Sequence, residues 1–394
     1  MSLLRQLRTL RMFAPLIGGV PTSHLWYLWQ QMRFEKPHLF AGHVRINTFF
    51  PPWPSPAFGR FCSAVIARRR VPYSVYVAVT GECPCSCGHC SYGRRPGASL
   101  GRSALLDLVR QIKAMGVPTI GFTGGEPLLR PDLEDAIASA GPEMATIVFT
   151  TGANLGLARA KRLAAANVTC VTIGVESATP AEHDRVRGLV GSFAQARKAA
   201  DACREAGIYL AISTVGFREK IDAGELDRLY ELATDWGAGE LRLLTPVATG
   251  SIAGCGSATL TDAQRQSLVN FHTQRNSEAA GPAVASFARL ESDALFGCGA
   301  GYHHLFIDAT GEVCPCDLTP LSFGNVSSEP LAGIWTRMGE HFALPRRGCL
   351  MAGIAGQIDA AAPLPLPREQ SEKLIPPRDA NVPLPEGYRR LLEQ

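Results

Sequence analysis

The 394 residues suffice for one core of about 250 residues with smaller appendages, and a 46% apolar composition is that of a chain that folds. No stretch approaches the ~18–20 uninterrupted apolar residues of a membrane span. The formal charge of +4 conceals an asymmetry: residues 1–72 hold ten Lys or Arg against the single acid Glu35, so everything after them is net acidic. Eight of the twelve cysteines crowd into 83–90 and 298–349, which is how metal sites are distributed and not how a disulfide framework is, so a reducing, cytoplasmic setting is expected.

At the start, Arg5, Arg8 and Arg11 precede an apolar part broken by Pro15, Gly18 and Gly19 that lacks a small-x-small cleavage site. It therefore reads as mature sequence and not as a signal peptide. Leu3, Leu7, Leu10 and Ala14 fall on one helical face with the arginines beside it, the pattern of a short helix lying on an anionic membrane surface or packed on the main body. A second helix is expected near 23–35, and Trp26, Trp29 and Trp53 favour an interface of some kind. Peripheral contact of residues 1–35 with the inner face of the membrane is thus one expectation. Four prolines in 46–56 make that stretch an extended connector. The triplet Arg68-Arg69-Arg70 has no recognition motif around it, and no nucleic-acid partner is expected.

From 71 to 244, short apolar runs alternate with amphipathic stretches, as in βα units around a parallel sheet. Strands are predicted at 73–79, 118–123, 145–150, 168–175, 208–214 and 239–244, and helices at about 102–115, 131–140, 156–166, 193–206 and 222–236. Six units are too few for a closed eight-fold barrel. The fold class is α/β, a partial (β/α)6 TIM-like barrel, with reactive residues expected at the C-terminal ends of the strands.

Directly after the first of these strands come Cys83, Cys85, Cys87 and Cys90. Bridging thiols this close would strain so short a loop. Cys83, Cys87 and Cys90 form a Cys-x3-Cys-x2-Cys run able to wrap one face of a 4Fe-4S cube and leave one iron open. Zinc is the rival, although only one Cys-x2-Cys knuckle is present. Cys85 is the surplus thiol, read as a buried free cysteine. The next strand ends in Gly124-Gly125-Glu126-Pro127, where two glycines let a polar group approach the backbone and a glutamate can accept from an ammonium.

These two motifs at adjacent strand ends resemble the radical S-adenosylmethionine (radical SAM) superfamily across 71–244. The resemblance implies that the open iron is chelated by S-adenosylmethionine, and that reductive cleavage gives a 5′-deoxyadenosyl radical that abstracts a hydrogen atom from substrate. It implies that the Gly124-Gly125-Glu126-Pro127 turn binds the methionyl amine and that His89 lies near the adenine. Glu176 and Arg187 are carried over as cofactor contacts, with Ser213 as a further one. Surface charge is the other reading of Glu176 and Arg187. Cys170 and Cys203 are expected to be buried small residues.

Beyond a loop with Cys255 and a helix near 261–278, Cys298 and Cys316 bracket two short strands around Ala309-Thr310-Gly311. This resembles the twitch or SPASM extension that holds an auxiliary 4Fe-4S cluster, here with Cys298, Cys316 and Cys349 as ligands. Zinc is again the alternative, and Cys255, Cys314, a non-cysteine group or substrate could fill the fourth position. Seven prolines in 363–385 predict an extended tail, wrapped on the body or disordered. The expected segments are a basic extension (1–70), the barrel (71–250), a twitch-like hairpin and helix domain (251–355) and the tail (356–394).

The expected function is that of an enzyme acting on a small-molecule or lipid-like substrate, its oxidoreductase, lyase or transferase class left open, with a flavodoxin or ferredoxin as electron donor. Maturation of a ribosomally made peptide is the alternative. A non-catalytic electron carrier is the rival class, disfavoured because it needs four ligands per cube.

Overall fold

The computed structural model describes residues 3–359 and 361–392, with side chains described from residue 8 onward except at 257. The strands are β1 (His38–Phe40), β2 (His43–Arg45), β3 (Ser74–Thr80), β4 (Thr119–Gly124), β5 (Ala145–Thr150), β6 (Cys170–Gly174), β7 (Leu210–Val215), β8 (Glu240–Leu244), β9 (Ala283–Ser286), β10 (His304–Ile307) and β11 (Val313–Cys314). β1 and β2 pair as a hairpin, and the others form one sheet in the order β11-β10-β3-β4-β5-β6-β7-β8-β9. All its pairings are parallel except β10 with β11. The six expected strands are β3 to β8, in sequential order, as in an open barrel.

Strand alternation divides the side chains between two environments. Val75, Val77 and Val79 of β3, Ile120 and Phe122 of β4, and Leu241 and Leu243 of β8 join the main core, packed on the surrounding helices. In the helix Arg102–Ala114, Leu105, Leu108, Val109 and Ile112 recur at helical spacing and supply the facing stripe. The opposite parity, including Ser74, Tyr76, Thr123, Phe149, Thr172, Ser213 and Arg242, points into the barrel and lines a chamber. Cys170 and Cys203 are fully buried, as expected.

The N-terminal segment closes the bottom of the barrel. Arg45 donates from Nη2 to the Thr169 carbonyl at 3.0 Å and stacks 4.2 Å over the Tyr209 ring. Thr48 donates to Glu240 Oε1 at 2.7 Å. The 46–56 connector is followed at once by the helix Pro56–Ala67, whose N-cap Ser55 accepts from the Phe58 amide.

The helix Leu3–Phe13 packs by a different face from the one expected. Thr9, Met12 and Leu16 are buried, whereas Leu10 and Ala14 point outward. The side chains of Leu3, Arg5 and Leu7 lie outside the described residues.

The expected segments are joined to one another in the tertiary structure. The auxiliary segment does not stand apart, because β9 extends the sheet beyond β8 and β10 pairs with β3. The tail is not simply extended: it contains the helices Arg368–Leu374 and Glu386–Leu392. Leu384, Tyr388 and Leu391 are buried in a second core with Met12, Leu16 and Phe58, so apolar side chains between the prolines dock it on the N-terminal helices.

Candidate active site

The Cys83 to Cys90 loop leaves β3 at the C-terminal rim and is zipped to the turn after β4. Gly125 N donates to the Thr80 carbonyl at 2.8 Å and Glu126 N to the Glu82 carbonyl at 2.7 Å. This contact is why glycine is needed: a Cβ at Gly124, with φ +124°, would lie 2.3 Å from Thr80 O, and one at Gly125 would lie 2.0 Å from Glu82 O. Both glycines also line the chamber.

Glu126 follows the two glycines. Its carboxylate is fully buried and accepts from Leu128 N (3.0 Å), Thr150 Oγ1 (2.7 Å), Thr151 N (2.7 Å) and Thr151 Oγ1 (2.6 Å). Burial raises its pKa against these four donors. The side chain therefore ties the β4 turn to the end of β5, and neither it nor the buried Pro127 lines the chamber. The backbone of the turn is what faces inward.

From the far side of the barrel the helix Pro180–Arg187 clamps the cysteine loop. Ser86 N donates to the Arg187 carbonyl at 2.9 Å, and Arg187 Nη1 lies 3.6 Å from Cys87 Sγ. A hydrogen bond from Cys85, then the Arg187 charge, draws the Cys87 thiol down to about 5, and the Cys85 bond likewise lowers Cys83. Cys85 is half-buried between these two sulfurs and is pushed up by them, which corrects its reading as a buried cysteine. Burial raises Cys90.

Beside this loop, Glu176 is buried among two cations and an imidazole: Arg187 (3.2 Å), Lys220 (2.9 Å) and His89 Nε2 (3.3 Å). Burial opposes ionisation, but Lys220, His89 and Arg187 together hold the carboxyl well below the usual range. His89, Arg187 and Ser213 line the chamber, and His89 meets Phe217 edge to face at 5.7 Å. Glu176 and Arg187 are thus no solvated surface charges. Lys220 carries no signal in the sequence. Arg242 does, as an alternating charge with Glu240 on an otherwise apolar strand.

The second thiol set opens on the same chamber, of about 700 Å³, which Cys298, Cys316 and Cys349 line together with Cys87 and Cys90. Burial raises all three thiols, Cys298 to about 12, so a metal must displace their protons. Leu318 N approaches Cys316 Sγ at 3.4 Å, an amide contact that suits a ligating sulfur. Asp317 Oδ1 lies 3.5 Å from the same sulfur and 3.2 Å from His304 Nε2, and ligand atoms of His304, Cys316 and Asp317 fall within 4.8 Å of one another. Cys314, in contrast, faces away, buried against Arg95 Nη1 at 3.4 Å. None of the twelve cysteines forms a disulfide. Both thiol sets therefore fit metal or cluster ligation by their donor chemistry.

The sequence pattern of the Radical SAM superfamily matches residues 77–232, and that of an iron-sulfur cluster-binding domain, SPASM, matches 298–345. A PqqA peptide cyclase of Streptomyces rochei is 30% identical over 280 residues, covering 67% of this chain and 75% of that one. The chain belongs to the radical SAM superfamily. An AdoMet-dependent heme synthase of Nitratidesulfovibrio vulgaris is 28% identical over 293 residues, covering 67% of this chain and 78% of the relative. Among solved structures, native anSMEcpe with bound AdoMet aligns with a TM-score of 0.55 at 17% identity, over 77% of this chain and 95% of that one. Streptococcus suis SuiB bound to S-adenosylmethionine aligns with a TM-score of 0.55 at 16% identity, over 71% and 70%. These likenesses match the partial-barrel fold. As a radical SAM enzyme with a SPASM segment, the protein works with a 4Fe-4S cluster, S-adenosylmethionine and auxiliary cluster chemistry, and it needs a reductant. Iron-sulfur chemistry therefore prevails over the zinc alternative.

Proposed function

We propose that the enzyme abstracts a hydrogen atom from a small-molecule or lipid-like substrate held between two clusters in one chamber. The observation that carries this reading is that Cys87 and Cys90 of the first thiol set, all three thiols of the second and the Gly124-Gly125 turn line the same cavity of about 700 Å³. In it, Cys83, Cys87 and Cys90 ligate the 4Fe-4S cluster, and Cys298, Cys316 and Cys349 the auxiliary one. When bound, the first cluster and S-adenosylmethionine supply a carbon-centred radical, and the auxiliary cluster an electron sink or substrate ligand. The Gly124-Gly125 backbone receives the methionyl end, with His89, Arg187 and Ser213 around the rest of the cofactor. Glu176 orients His89 and Arg187 from behind. Arg242, buried with its Nε unpartnered, suits an anionic or carbonyl group of the substrate.

Support for a small substrate comes from residues 3–67, which form helices and a two-stranded hairpin packed on the barrel, where a leader-binding winged helix needs a three-stranded sheet. One relative is, by its name, a heme synthase. Peptide maturation is the second reading, favoured by the 30% identity to a PqqA peptide cyclase. Leu10, Ile17 and Trp26 are 53%, 68% and 60% exposed on the basic N-terminal segment, which supports peripheral contact with an anionic membrane.

Anaerobic reconstitution followed by dithionite and S-adenosylmethionine tests the chemistry, with 5′-deoxyadenosine as the product to detect. Faster formation with a solvent-extracted small-molecule fraction is expected. Faster formation only with a short peptide encoded beside the gene would turn the substrate reading to maturation.

A further inference from the structure

We propose that the substrate carries a hydrocarbon tail that lies in an apolar pocket between the N-terminal segment and the barrel. This pocket, of about 140 Å³, is walled by Met12, Leu28, Phe50, Phe58, Val65 and Leu391 among other side chains. The titratable groups around it offer no unpaired charge. Burial lowers His24 to about 4 and His303 to about 3, so both are neutral at physiological pH. Glu35 pairs with His272 Nε2 at 3.2 Å and with Arg289 Nε at 3.6 Å. Such a site discriminates by apolar area and shape.

What ties the pocket to the chamber is a shared wall: Phe49, Ser74 and His303 line both. Phe49 packs 4.7 Å from Phe287, and the Arg242 guanidinium lies 5.5 Å from its ring centre. Phe49 therefore stands between the chamber, which holds Arg242, and the more uniformly apolar pocket. An amphiphile with its reacting carbon in the chamber and its polar group near Arg242 would direct its tail past Phe49. A cavity of about 150 Å³ lined by Leu, Ile and Phe stays dry and admits benzene, so this one takes about six carbons. The tail's place rests on the radical chamber proposed above and adds a substrate class to it.

The test titrates the full-length, reconstituted enzyme with straight-chain 1-alkanols of about four to ten carbons by calorimetry. Each added methylene is expected to tighten binding about fourfold, levelling off near six carbons. A diazirine-bearing alkanol is expected to label residues within 12–32 or 46–65. Leu28→Trp and Val65→Trp, which fill the pocket from separate helices, are expected to weaken the six-carbon alcohol about sixteenfold, the worth of two methylenes. Binding without chain-length dependence, or label confined to the rim loops, would overturn the tail and leave the radical chemistry standing. Stronger competition by phenylalanyl peptide amides than by any alkanol would also overturn it, in favour of a peptide side chain. Absence of 5′-deoxyadenosine in the unmutated enzyme would sink the chamber reading, and the alkanol series would still be readable. Because that series and the labelling need no variant, misfolding of the tryptophan proteins would not remove the test.

Discussion

Arg187 and Cys87, a hundred residues apart in sequence, meet at the rim with the guanidinium Nη1 3.6 Å from the sulfur. The same guanidinium reaches Glu176 through Nη2 at 3.2 Å, so one side chain joins the cysteine loop to the charge cluster after β6. Arg187→Met removes the clamp and leaves Glu176 with one fewer cation. Breaking a buried pair on one side costs about 3–5 kcal/mol, and the loss should be visible in denaturant unfolding of the cluster-free protein. Iron at the first site should also fall after reconstitution, with the auxiliary iron retained.

Metal content separates the two thiol sets. About eight irons per chain are expected after reconstitution, four at each site. Alanine at Cys83, Cys87 and Cys90 together should leave roughly half of the iron and no cleavage of S-adenosylmethionine. Iron unchanged by Cys298→Ala with Cys316→Ala, or zinc in its place, would remove the auxiliary cluster from these residues.

Glu176 makes acid stability a specific prediction. Its folded-state pKa lies below the unfolded value, so its ionised form stabilises the fold fully above the ordinary glutamate pKa of about 4.3, and that contribution is lost as pH falls through the depressed value. Glu176→Gln should be less stable than the parent at neutral pH, and the gap should narrow below about pH 4. A gap that stays constant from neutral pH into that acid range would refute the assignment.

Glu126 should behave as a structural residue. Glu126→Ala leaves four donors without their acceptor, at about 1–3 kcal/mol for each that water does not reach. The melting temperature is expected to fall, while the Kd for S-adenosylmethionine, measured well below the melt, changes little. A large loss of affinity with unchanged stability would instead mean that the carboxylate turns to the cofactor on binding.

Membrane contact can be tested without damaging the core. Met12 and Leu16 are buried, so truncation would uncover the fold, whereas Leu10, Ile17 and Trp26 are exposed. Serine at these three positions should abolish co-sedimentation with anionic vesicles, and high salt should weaken the parent, each basic residue near the surface contributing about 1 kcal/mol. Equal, negligible binding by parent and variant would eliminate the surface.

The sequence by itself determined what depends on local pattern. Apolar periodicity located β3 to β8 and their helices to within a few residues, because burial on one face repeats at the spacing of the element that carries it. Cysteine spacing pointed to Cys83, Cys87 and Cys90 as candidate ligands, because ligands must converge within a few ångströms, and the resemblance to an auxiliary-cluster extension pointed to Cys298, Cys316 and Cys349. Only the tertiary structure decided what depends on distant segments meeting. Lys220 looks like any exposed lysine until β7 carries it beside Glu176, and nothing in the sequence shows that Thr150 and Thr151 donate to the Glu126 carboxylate. The same holds for the ends of the chain. Residues 8–66 and 384–391 pair no strand with the main sheet and carry no motif, yet they enclose an apolar pocket sharing Phe49, Ser74 and His303 with the chamber. A cavity is the space left between segments that pack, and no single segment encodes it.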